Sequence, residues 1–400
     1  MKPYFVFIES NTSGTGRIFA QAAKDKGFNP VLLAGDISRY HYAKEDNLEF
    51  IKVNTQNETD LLNTCKKLKN VAGVLSSSEY FIEMAAIISK KLNLPGVNPD
   101  AIKNCRDKSL QRIILQENNI GIPKFYVCES EKESAAASKS IGYPVIVKPV
   151  MGTGSVGVKL CININEVAEH TKHLLKQKTN ERGMPVPQKV LVEEFLDGEE
   201  YSVETFGGKI IGITKKYVGS LPNFVEIGHD FPADIDRDKT KKINKTTLDA
   251  LDAVGLDCGP GHVEVKFVFG EAKIVEINPR LAGGFIPKLV DYAFGVNLIN
   301  ETIKLTSGER VNLESTRKDY SSIRFILSPR KGLFSKVEGL DNLKNKNIVE
   351  TCIYKNEGNE ISVNGDFRDR IGHIISYSKN KSETISAANS AIKNLRVIVK

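Results

Sequence analysis

The segment that most constrains the fold of this chain is HVEVKFVFGEAKIVEINPR, residues 262–280, in which two alternating runs rich in β-branched residues flank a glycine. This pattern predicts an antiparallel hairpin that turns at Gly270-Glu271. Because side chains alternate between the faces of a strand, Glu276 and Asn278 should point from the same face. A two-residue turn would place Glu264 on the opposite face, whereas a three-residue turn or a bulge would bring all three together. We expect an odd-numbered turn.

Two carboxylates and an amide on one face suit a hard divalent cation. Magnesium is usually held by one or two protein carboxylates together with the phosphates of its substrate. Glu264, Glu276 and Asn278 are therefore candidate metal ligands, and Arg280 supplies a guanidinium fork for a phosphate or a transferring phosphoryl group. For this segment alone, the alternative is an ordinary exposed strand with solvated glutamates. The other motifs of the chain favour a magnesium–triphosphate site.

The composition indicates a soluble globular protein of two or three domains, with 400 residues, 40% hydrophobic and 26% charged. No apolar run approaches about 18 residues and the N-terminus MKPYFVFIES lacks a signal-peptide pattern, so no membrane span is predicted and the expected location is the cytoplasm. The formal charge of +7 comes from dispersed lysines without interleaved aromatic residues, which argues against nucleic-acid binding. The six cysteines form no CxxC pair, which argues against zinc and disulfides.

The first hundred residues predict a small doubly wound α/β domain. Hydrophobic strands at YFVFIES, PVLLA and VAGVLSSS alternate with helices at RIFAQAAKDKG and EYFIEMAAIISKKLNLPG. The turn Gly14-Thr15-Gly16 lacks a third glycine at nucleotide-binding spacing and is expected to be a tight strand-to-helix turn. The pattern then changes, and CRDKSLQRIILQENNIG predicts one helix that ends at Gly121. We place a domain boundary near residues 100–105.

A glycine-rich turn decides the class of the central region. Gly152, Gly154 and Gly157 follow the strand YPVIVKP and formally match the dinucleotide fingerprint G-x-G-x-x-G. That fingerprint must open a helix, whereas VKLCI continues as a strand, so the glycines are expected at the tip of a hairpin. Such a flap, with Thr153 and Ser155, can fold over phosphates and donate backbone N–H groups, because glycine has no Cβ atom. A purely structural hairpin is the alternative.

Residues on either side of the flap supply further candidate nucleotide contacts. Lys148, four residues before Gly152, is a candidate charge partner for phosphates. The strand that ends in Glu193-Glu194-Phe195-Leu196 offers backbone groups suited to an adenine ring, and Glu200 lies close enough downstream to reach ribose hydroxyls. Taken alone, an acidic turn between strands is usually just solvated.

Together these motifs resemble those of the ATP-grasp ligases, which join a carboxylate to an amine or another nucleophile through an acyl phosphate. The resemblance covers most of the chain and rests on RDKSLQ, VIVKP, GTGSVG, VEEFLDGEEYSVE and VEINPR, in the family's order and spacing. It implies an α/β fold, α+β in parts, with a biotin-carboxylase-like doubly wound domain at 1–104, an ATP-grasp domain at 105–305 with a lid at about 145–205, and a small β-rich α+β domain at 306–400. Family members are often dimers through the N-terminal domain, although no residue pattern here establishes an interface.

The resemblance assigns roles to individual positions. The ATP contacts would be phosphate-binding Lys108 and Lys148, the flap residues Gly152, Thr153, Gly154, Ser155 and Gly157, the adenine hinge of Glu193, Glu194, Phe195 and Leu196, and the ribose-binding Glu200. Glu264 and Glu276 would bridge magnesium ions, with manganese as the alternative metal, and Asn278 would assist. Arg280 would steady the phosphoryl group and the tetrahedral intermediate.

Two further segments most resemble the L-amino acid ligases that make dipeptides, namely FVEIGH at 224–229 and GHVE at 261–264. Glu226 is then the candidate partner for the ammonium group of the first amino acid. His229 would donate to the tetrahedral oxygen or help remove the amine proton, and an exposed, idle histidine is the alternative. His262 is expected to be mainly structural. Such enzymes can carry a bulky aromatic residue at the position of Gly284, so a roomier pocket is expected here.

The implied chemistry converts a carboxylate, which is a poor acyl donor, into an acyl phosphate that an amine attacks, with release of ADP and phosphate. The substrates would be small-molecule carboxylates and amines, most specifically L-amino acids. Two alternatives stay open. One is a carboxylase-type or purine-pathway ATP-grasp enzyme that activates bicarbonate or another metabolite carboxylate. The other is a nucleotide-binding sensor or scaffold without net chemistry.

Overall fold

The structure is a computed structural model that describes residues 2–12, 14–222 and 224–400. It begins with a parallel sheet of strand order β3-β2-β1-β4 that is covered by helices on both faces. The elements are β1 (Tyr4–Ile8), α1 (Thr15–Asp25), β2 (Asn29–Ala34), α2 (His41–Glu45), β3 (Glu49–Lys52), α3 (Glu58–Lys67), β4 (Val71–Leu75) and α4 (Ile82–Lys91). The strand order reverses between β1 and β4, so a crevice opens at their carboxyl ends. The predicted doubly wound domain is therefore present.

Helices α5 and α6 follow, and after them comes a four-stranded antiparallel sheet of order β5-β8-β6-β7 with two further helices between its strands. They are α5 (Pro99–Arg106), α6 (Lys108–Glu117), β5 (Phe125–Cys128), α7 (Glu131–Ile141), β6 (Val145–Pro149), β7 (Lys159–Cys161), α8 (Ile164–Lys176) and β8 (Val190–Glu194). The glycine-rich turn joins the antiparallel strands β6 and β7, as predicted. The glycine-rich flap is thus a hairpin tip and does not open a helix.

The single helix predicted from CRDKSLQRIILQENNIG is wrong. Asp107 has extended backbone angles (φ −83°, ψ 103°) and separates α5 from α6. Its carboxylate accepts hydrogen bonds from the backbone N–H groups of Ser109 and Leu110 (2.9 and 3.2 Å). A short acidic side chain that satisfies the free N–H groups of a helix start favours a new helix over continuation of the old one.

The largest sheet has eight strands in the order β13-β12-β9-β10-β11-β14-β18-β16. Its first part, with the helices between the strands, comprises β9 (Glu199–Phe206), β10 (Lys209–Val218), β11 (Glu226–Phe231), α9 (Arg237–Val254), β12 (Pro260–Val268), β13 (Glu271–Asn278), α10 (Ile286–Phe294), α11 (Leu298–Thr306) and β14 (Tyr320–Leu327). The remaining elements are β15 (Gly332–Glu338), β16 (Ile348–Ile353), β17 (Glu360–Ile361), β18 (Arg370–Ser378), α12 (Lys381–Lys393) and β19 (Arg396–Val399), of which β17-β15-β19 form a small separate sheet.

Elements of secondary structure cross both of the predicted domain borders. The border at 104 and 105 lies within α5, and the border at 305 and 306 lies within α11. Helix α11 covers one face of the N-terminal sheet, where Ile303 joins Phe5 and Phe7 in one buried cluster. Strands β14, β18 and β16 continue the large sheet, and the lid sheet runs from 125 to 194. The division at 1–104, 105–305 and 306–400 therefore stays a prediction.

Within the described residues, no helix is both long enough and apolar enough to cross a lipid bilayer.

Candidate active site

The hairpin of β12 and β13 brings the predicted metal ligands together on one face of the large sheet. Glu264 pairs directly with Glu276, and His262 pairs with Asn278. The Glu264 and Glu276 side chains are 22% and 20% exposed, while Asn278 is buried. The geometric condition for the metal assignment is met, because the two carboxylates do not lie on opposite faces.

The predicted odd-numbered turn is wrong, and a bulge restores the shared face. Phe269 and Gly270 form a two-residue turn with positive φ at both positions (50° and 79°). Such turns match the twist of the flanking strands. The register shifts at Val275, which is the extra residue of β13, so that Glu276 points to the same side as Glu264.

This donor set fits a magnesium ion that is bound to a nucleotide. In residues 2–12, 14–222 and 224–400, no group of three or more His, Cys, Asp or Glu side chains forms a closed metal cage. Nucleotide-bound magnesium needs only one or two protein carboxylates, because phosphates and water fill its other positions. Glu264 and Glu276, with the amide of Asn278 beside them, supply that open set.

Two adjoining cavities meet at this face, with volumes of about 170 and 810 Å³. The smaller, which we call the nucleotide cavity, is lined by nearly all of the predicted nucleotide and metal residues: Lys108, Lys148, Gly152, Thr153, Gly154, Ser155, Glu193, Glu194, Phe195, Leu196, Glu200, Glu264, Glu276 and Asn278. Glu226 and Arg280 line both cavities. Gly157 and His229 line neither of them.

Gly157 anchors the flap from behind. The Nε2 atom of His170, on α8, donates a hydrogen bond to the Gly157 carbonyl (2.9 Å). With φ at +76°, Gly157 adopts a conformation that favours glycine, and an added Cβ atom would lie 3.1 Å from Leu174. Its contribution is therefore to the base of the flap.

The two phosphate lysines are buried against the base of the flap. Lys108 donates to the carbonyl of Gly152 (3.1 Å), and its Nζ lies 2.9 Å from Oε1 of Glu276. The Nζ of Lys148 lies 2.6 Å from Glu193. Burial lowers the pKa of Lys148, and the Glu193 carboxylate opposes that shift. Both amines thus border the metal carboxylates and the flap.

Arg112 fixes the adenine hinge and was missed in the sequence. Its Nε donates to Glu193 (2.6 Å) and its Nη2 donates to the carbonyl of Val275 (2.5 Å), so it links the hinge to the bulge. With Arg112 and Lys148 both on its carboxylate, Glu193 has a structural side chain, and the hinge offers its backbone to the cavity. The sequence did contain a signal for Arg112, because it follows Lys108 by four residues and therefore lies on the same face of the helix.

Lys216, also missed, lies where three predicted carboxylates meet. Its Nζ is 3.1 Å from Glu200, 2.8 Å from Glu226 and 3.2 Å from Glu264, and only 2% of its side chain is exposed. Burial alone would lower the pKa of Lys216, but the carboxylates raise it well above its usual value. The sequence offered a weak signal, because one of two consecutive lysines in a strand must face inward.

The C-terminal part completes the surroundings of Glu226 with residues that no motif indicated. Arg370 donates from Nη2 to the Glu226 carboxylate (2.6 Å) and from Nε to its backbone carbonyl (3.1 Å). The guanidinium also lies over the ring of Phe325, 3.8 Å from its centroid. Although burial would raise the pKa of Glu226, the positive charges of Lys216 and Arg370 hold that pKa well below its usual range. Glu226 is therefore an ionised carboxylate.

His229 is fully buried, so the alternative of an exposed, idle histidine is wrong. Neither ring nitrogen has a hydrogen-bond partner among the described residues, and Nε2 lies 3.7 Å from Oε2 of Glu226. Burial lowers the pKa of His229 to about 3, so its imidazole is neutral at physiological pH. A Cβ atom on Gly284 would lie 2.6 Å from Nε2 of His229. A side chain at position 284 would therefore meet the imidazole, while Gly284 itself lines the larger cavity, and the expectation of a roomier pocket stays a prediction.

His262 orients one of the metal carboxylates. Its Nδ1 lies 3.1 Å from Glu204 and its Nε2 lies 3.3 Å from Glu264. Burial would lower the pKa of His262, but the Glu204 carboxylate raises it to about 9. A supporting role fits the expectation from the sequence.

Arg280 is aimed by a residue of the N-terminal domain. Its Nε donates to the buried carboxylate of Glu79, which follows β4, and its Nη1 donates to the carbonyl of Leu281 (3.0 Å). Arg106 also approaches Glu79 (3.9 Å). No local pattern could have shown this pair, since Glu79 and Arg280 are 201 residues apart.

Comparisons with known proteins agree with this architecture. Residues 141–288 match the ATP-grasp domain family, and residues 324–400 match the L-amino acid ligase C-terminal domain 2. The chain is 32% identical over 399 residues to the uncharacterized protein y4rH of Sinorhizobium fredii, covering 99% of this chain and 83% of that protein. It is 24% identical to human carnosine synthase 1, over 72% of this chain and 38% of that protein. Alanine–anticapsin ligase of Bacillus amyloliquefaciens is 28% identical, over 57% of this chain and 52% of that protein.

Solved structures show the same fold. L-amino acid ligase from Bacillus licheniformis superposes with a TM-score of 0.81 at 19% identity, covering 100% of this chain and 99% of that one. The biotin carboxylase domain of Hydrogenobacter thermophilus 2-oxoglutarate carboxylase gives a TM-score of 0.73 at 17% identity, covering 99% and 91%. The predicted ATP-grasp fold with a biotin-carboxylase-like N-terminal domain is confirmed. The chain belongs to the ATP-grasp ligases, and its C-terminal part is that of the L-amino acid ligases.

Proposed function

We propose that this protein is an ATP-dependent ligase that joins the carboxylate of one L-amino acid to the amine of another through an acyl phosphate. The observation that carries the proposal is the place of Glu226. It is an ionised carboxylate, it lines both the nucleotide cavity and the larger cavity, and it shares Lys216 with the metal-side Glu264. An amino acid whose ammonium pairs with Glu226 has its own carboxylate within a few ångströms of the metal site.

ATP and magnesium, or manganese, belong to this proposal. When bound, they supply the phosphoryl group that turns the carboxylate into an acyl donor. Lys108, Lys148 and the flap would hold the phosphates, and Glu264, Glu276 and Asn278 would hold the metal. Two similar structures support this assignment by what they contain: the H. thermophilus carboxylase domain is a complex with MgADP and bicarbonate, and N5-carboxyaminoimidazole synthetase from Staphylococcus aureus is a complex with ADP.

The remaining polar residues suit acyl transfer. Arg280 faces the junction of the two cavities and can take up charge on the phosphoryl group and on the tetrahedral oxygen. His229 is neutral and neither of its nitrogens has a hydrogen-bond partner within the part of the chain that the structure describes, so it has both an N–H donor and a lone pair to offer. The ring lies beside Glu226 but lines neither cavity, so donation to the tetrahedral oxygen or uptake of the amine proton requires a movement that brings the imidazole to the junction.

The test is ADP and phosphate release with magnesium, ATP and single or paired L-amino acids, with the products identified by mass. A product equal in mass to two amino acids minus water supports dipeptide formation. Phosphate release that depends on bicarbonate and not on amino acids would instead support the carboxylase alternative. Absence of ADP formation with every carboxylate would overturn the enzymatic proposal and favour a nucleotide-binding sensor.

Three expectations from the sequence accompany the proposal. The substrates are small molecules, a cytoplasmic location is predicted, and a homodimer through the N-terminal domain is the expected assembly. Light scattering coupled to size-exclusion chromatography measures the assembly directly. A mass near that of one 44.2 kDa chain at micromolar concentration would contradict the dimer.

A further inference from the structure

The larger cavity extends beyond the junction with the nucleotide cavity. Gly154, Glu226, Glu264, Arg280 and Arg370 are among the residues that line both cavities. A carboxylate that receives a phosphoryl group from ATP must lie at this junction, where it can reach the γ-phosphate. The attacking amine must then approach from the part of the larger cavity that does not border the nucleotide.

That part of the larger cavity has an apolar arm between the N-terminal domain and α11. We define the apolar arm by six lining residues: Ile82, Ala85 and Ala86 of α4, Val97, Ile102 of α5 and Leu305 of α11. None of the six carries a charge or a hydrogen-bonding side chain. The arm is thus unlike the junction, where carboxylates and guanidinium groups predominate.

The hydroxyl groups beside the arm are already satisfied. Ser89 donates to the carbonyl of Pro95 (3.0 Å), Thr302 donates to that of Leu298 (2.7 Å), and Thr306 donates to that of Thr302 (2.7 Å). With its hydroxyls turned to backbone carbonyls, the wall offers mainly methyl and methylene surface. A polar group placed in the arm would lose its bonds to water without gaining new ones, which costs about 1–3 kcal/mol, whereas apolar surface gains about 25 cal/mol per Å².

We propose that the apolar arm binds the side chain of the amine substrate, and that the enzyme favours a second amino acid with a branched or aromatic apolar side chain over alanine or glycine. This inference rests on the proposed ligase function. In the step concerned, the amine nitrogen forms a bond to the acyl carbon and the carbon–oxygen bond to phosphate breaks. The proton lost by the nitrogen is balanced in the hydrogen phosphate that leaves.

The experiment holds the carboxylate substrate constant and measures kcat/KM for glycine, alanine, leucine and phenylalanine as the amine. The unaltered enzyme should prefer leucine or phenylalanine to alanine by about 10-fold or more, since each methylene in an apolar pocket contributes about 10-fold or more. Ala86→Leu fills the arm and should remove most of that preference, measured as the ratio of kcat/KM for leucine or phenylalanine to that for alanine. Ile82→Ala opens the arm and should raise the value for phenylalanine relative to leucine.

The matched control is Ala137→Leu, at a buried alanine of α7 outside the cavity, which measures the loss of stability that a larger side chain causes at a buried position. It should leave the order of amine preference unchanged, and thermal melting identifies any variant that fails to fold. If Ala86→Leu is unfolded, the amine preferences of the unaltered enzyme and of Ile82→Ala test the proposal for the arm. If the unaltered enzyme prefers alanine or glycine as the amine, or if neither variant shifts the preference, the proposed role of the apolar arm is wrong and the ligase proposal stands. Phosphate release that no amino acid stimulates overturns the ligase proposal itself.

Discussion

The buried Lys216 forms an ion pair with Glu226, which lines both cavities, with 2.8 Å between Nζ and Oε1, at the point where two further carboxylates reach the same ammonium group. Glu200, Glu226 and Glu264 are assigned to ribose, to the substrate ammonium and to the metal, respectively. One lysine therefore ties together groups that belong to three different ligands. The three N–H donors of an ammonium group match these three carboxylates in number.

Lys216→Met is expected to lower the free energy of unfolding by at most about 3–5 kcal/mol, the cost of breaking a fully buried ion pair, because it leaves three partly exposed carboxylates without their shared counter-charge. The control is Lys215→Met at the adjacent position, whose ammonium pairs with the half-exposed Glu199 (2.6 Å). That change should cost no more than about 1 kcal/mol. Urea unfolding of both variants gives the comparison. Equal losses would mean that the three carboxylates do not depend on Lys216.

Local pattern and chemical type were enough to predict the β12–β13 hairpin and to single out Glu264, Glu276 and Asn278 as candidate metal ligands, but not how these three side chains come to share a face. The alternation of side chains along a strand placed Glu276 and Asn278 on one face. The prediction of a turn with an odd number of residues was wrong, because the turn has two residues and a bulge at Val275 brings Glu264 to the same face. A bulge depends on what packs across the strand, here the Nη2 of Arg112 on the Val275 carbonyl. That contact joins segments 163 residues apart, which no spacing rule covers.

Two of the residues missed in the site, Glu79 and Arg370, have the same origin. Glu79 reaches Arg280 from the N-terminal domain, and Arg370 reaches Glu226 from the C-terminal part, so both are products of tertiary packing. Neither lies in a motif with a chemical signature of its own. By contrast, the flap and hinge were predictable, because glycine spacing and strand alternation are local properties.

Arg280→Ala is expected to lower kcat by about 10²–10³-fold, as does removal of one donor to a developing oxyanion, while ATP affinity changes little. Glu79→Gln keeps the volume beside Arg280 but removes the charge that aims it, so it should lower kcat less than Arg280→Ala does. Turnover and the equilibrium binding of a fluorescent ATP analogue separate the two effects. If Arg280→Ala is fully active, Arg280 has no part in the reaction. If Glu79→Gln weakens ATP binding instead of kcat, Glu79 acts elsewhere than through Arg280.

Gly154→Ala is expected to raise the KM for ATP by two separable effects. Gly154 has a φ of +64°, which costs a residue with a Cβ atom about 1–2 kcal/mol. The added Cβ atom would also lie 2.7 Å from Cδ1 of Phe367. The double variant Gly154→Ala/Phe367→Ala should recover the steric part only, so its KM should fall between those of Gly154→Ala and Phe367→Ala.

The matched control for the flap is Gly358→Ala, since Gly358 also has positive φ (83°) but has nothing within 4 Å of an added Cβ atom. Its KM for ATP should equal that of the unaltered enzyme. Unchanged KM and kcat in Gly154→Ala would favour a purely structural hairpin. Full recovery in the double variant would show that the contact with Phe367 alone limits the flap.

The buried His229 should make the protein less stable as the pH falls. Its pKa of about 3 in the fold lies below the value near 6.5 in the unfolded chain, so the unfolded state binds the extra proton first. Above pH 6.5 the free energy of unfolding does not depend on His229, and it decreases progressively as the pH falls from 6.5 towards 3. Between pH 7 and pH 5 the free energy of unfolding falls by about 2 kcal/mol through this one group.

The variant His229→Gln does not titrate, so its free energy of unfolding should fall between pH 7 and pH 5 by about 2 kcal/mol less than that of the unaltered protein. Urea unfolding at the two pH values measures the difference. His173→Gln, at an exposed histidine of α8, should keep the full drop. Equal drops in His229→Gln and the unaltered protein would place the His229 imidazole in contact with water.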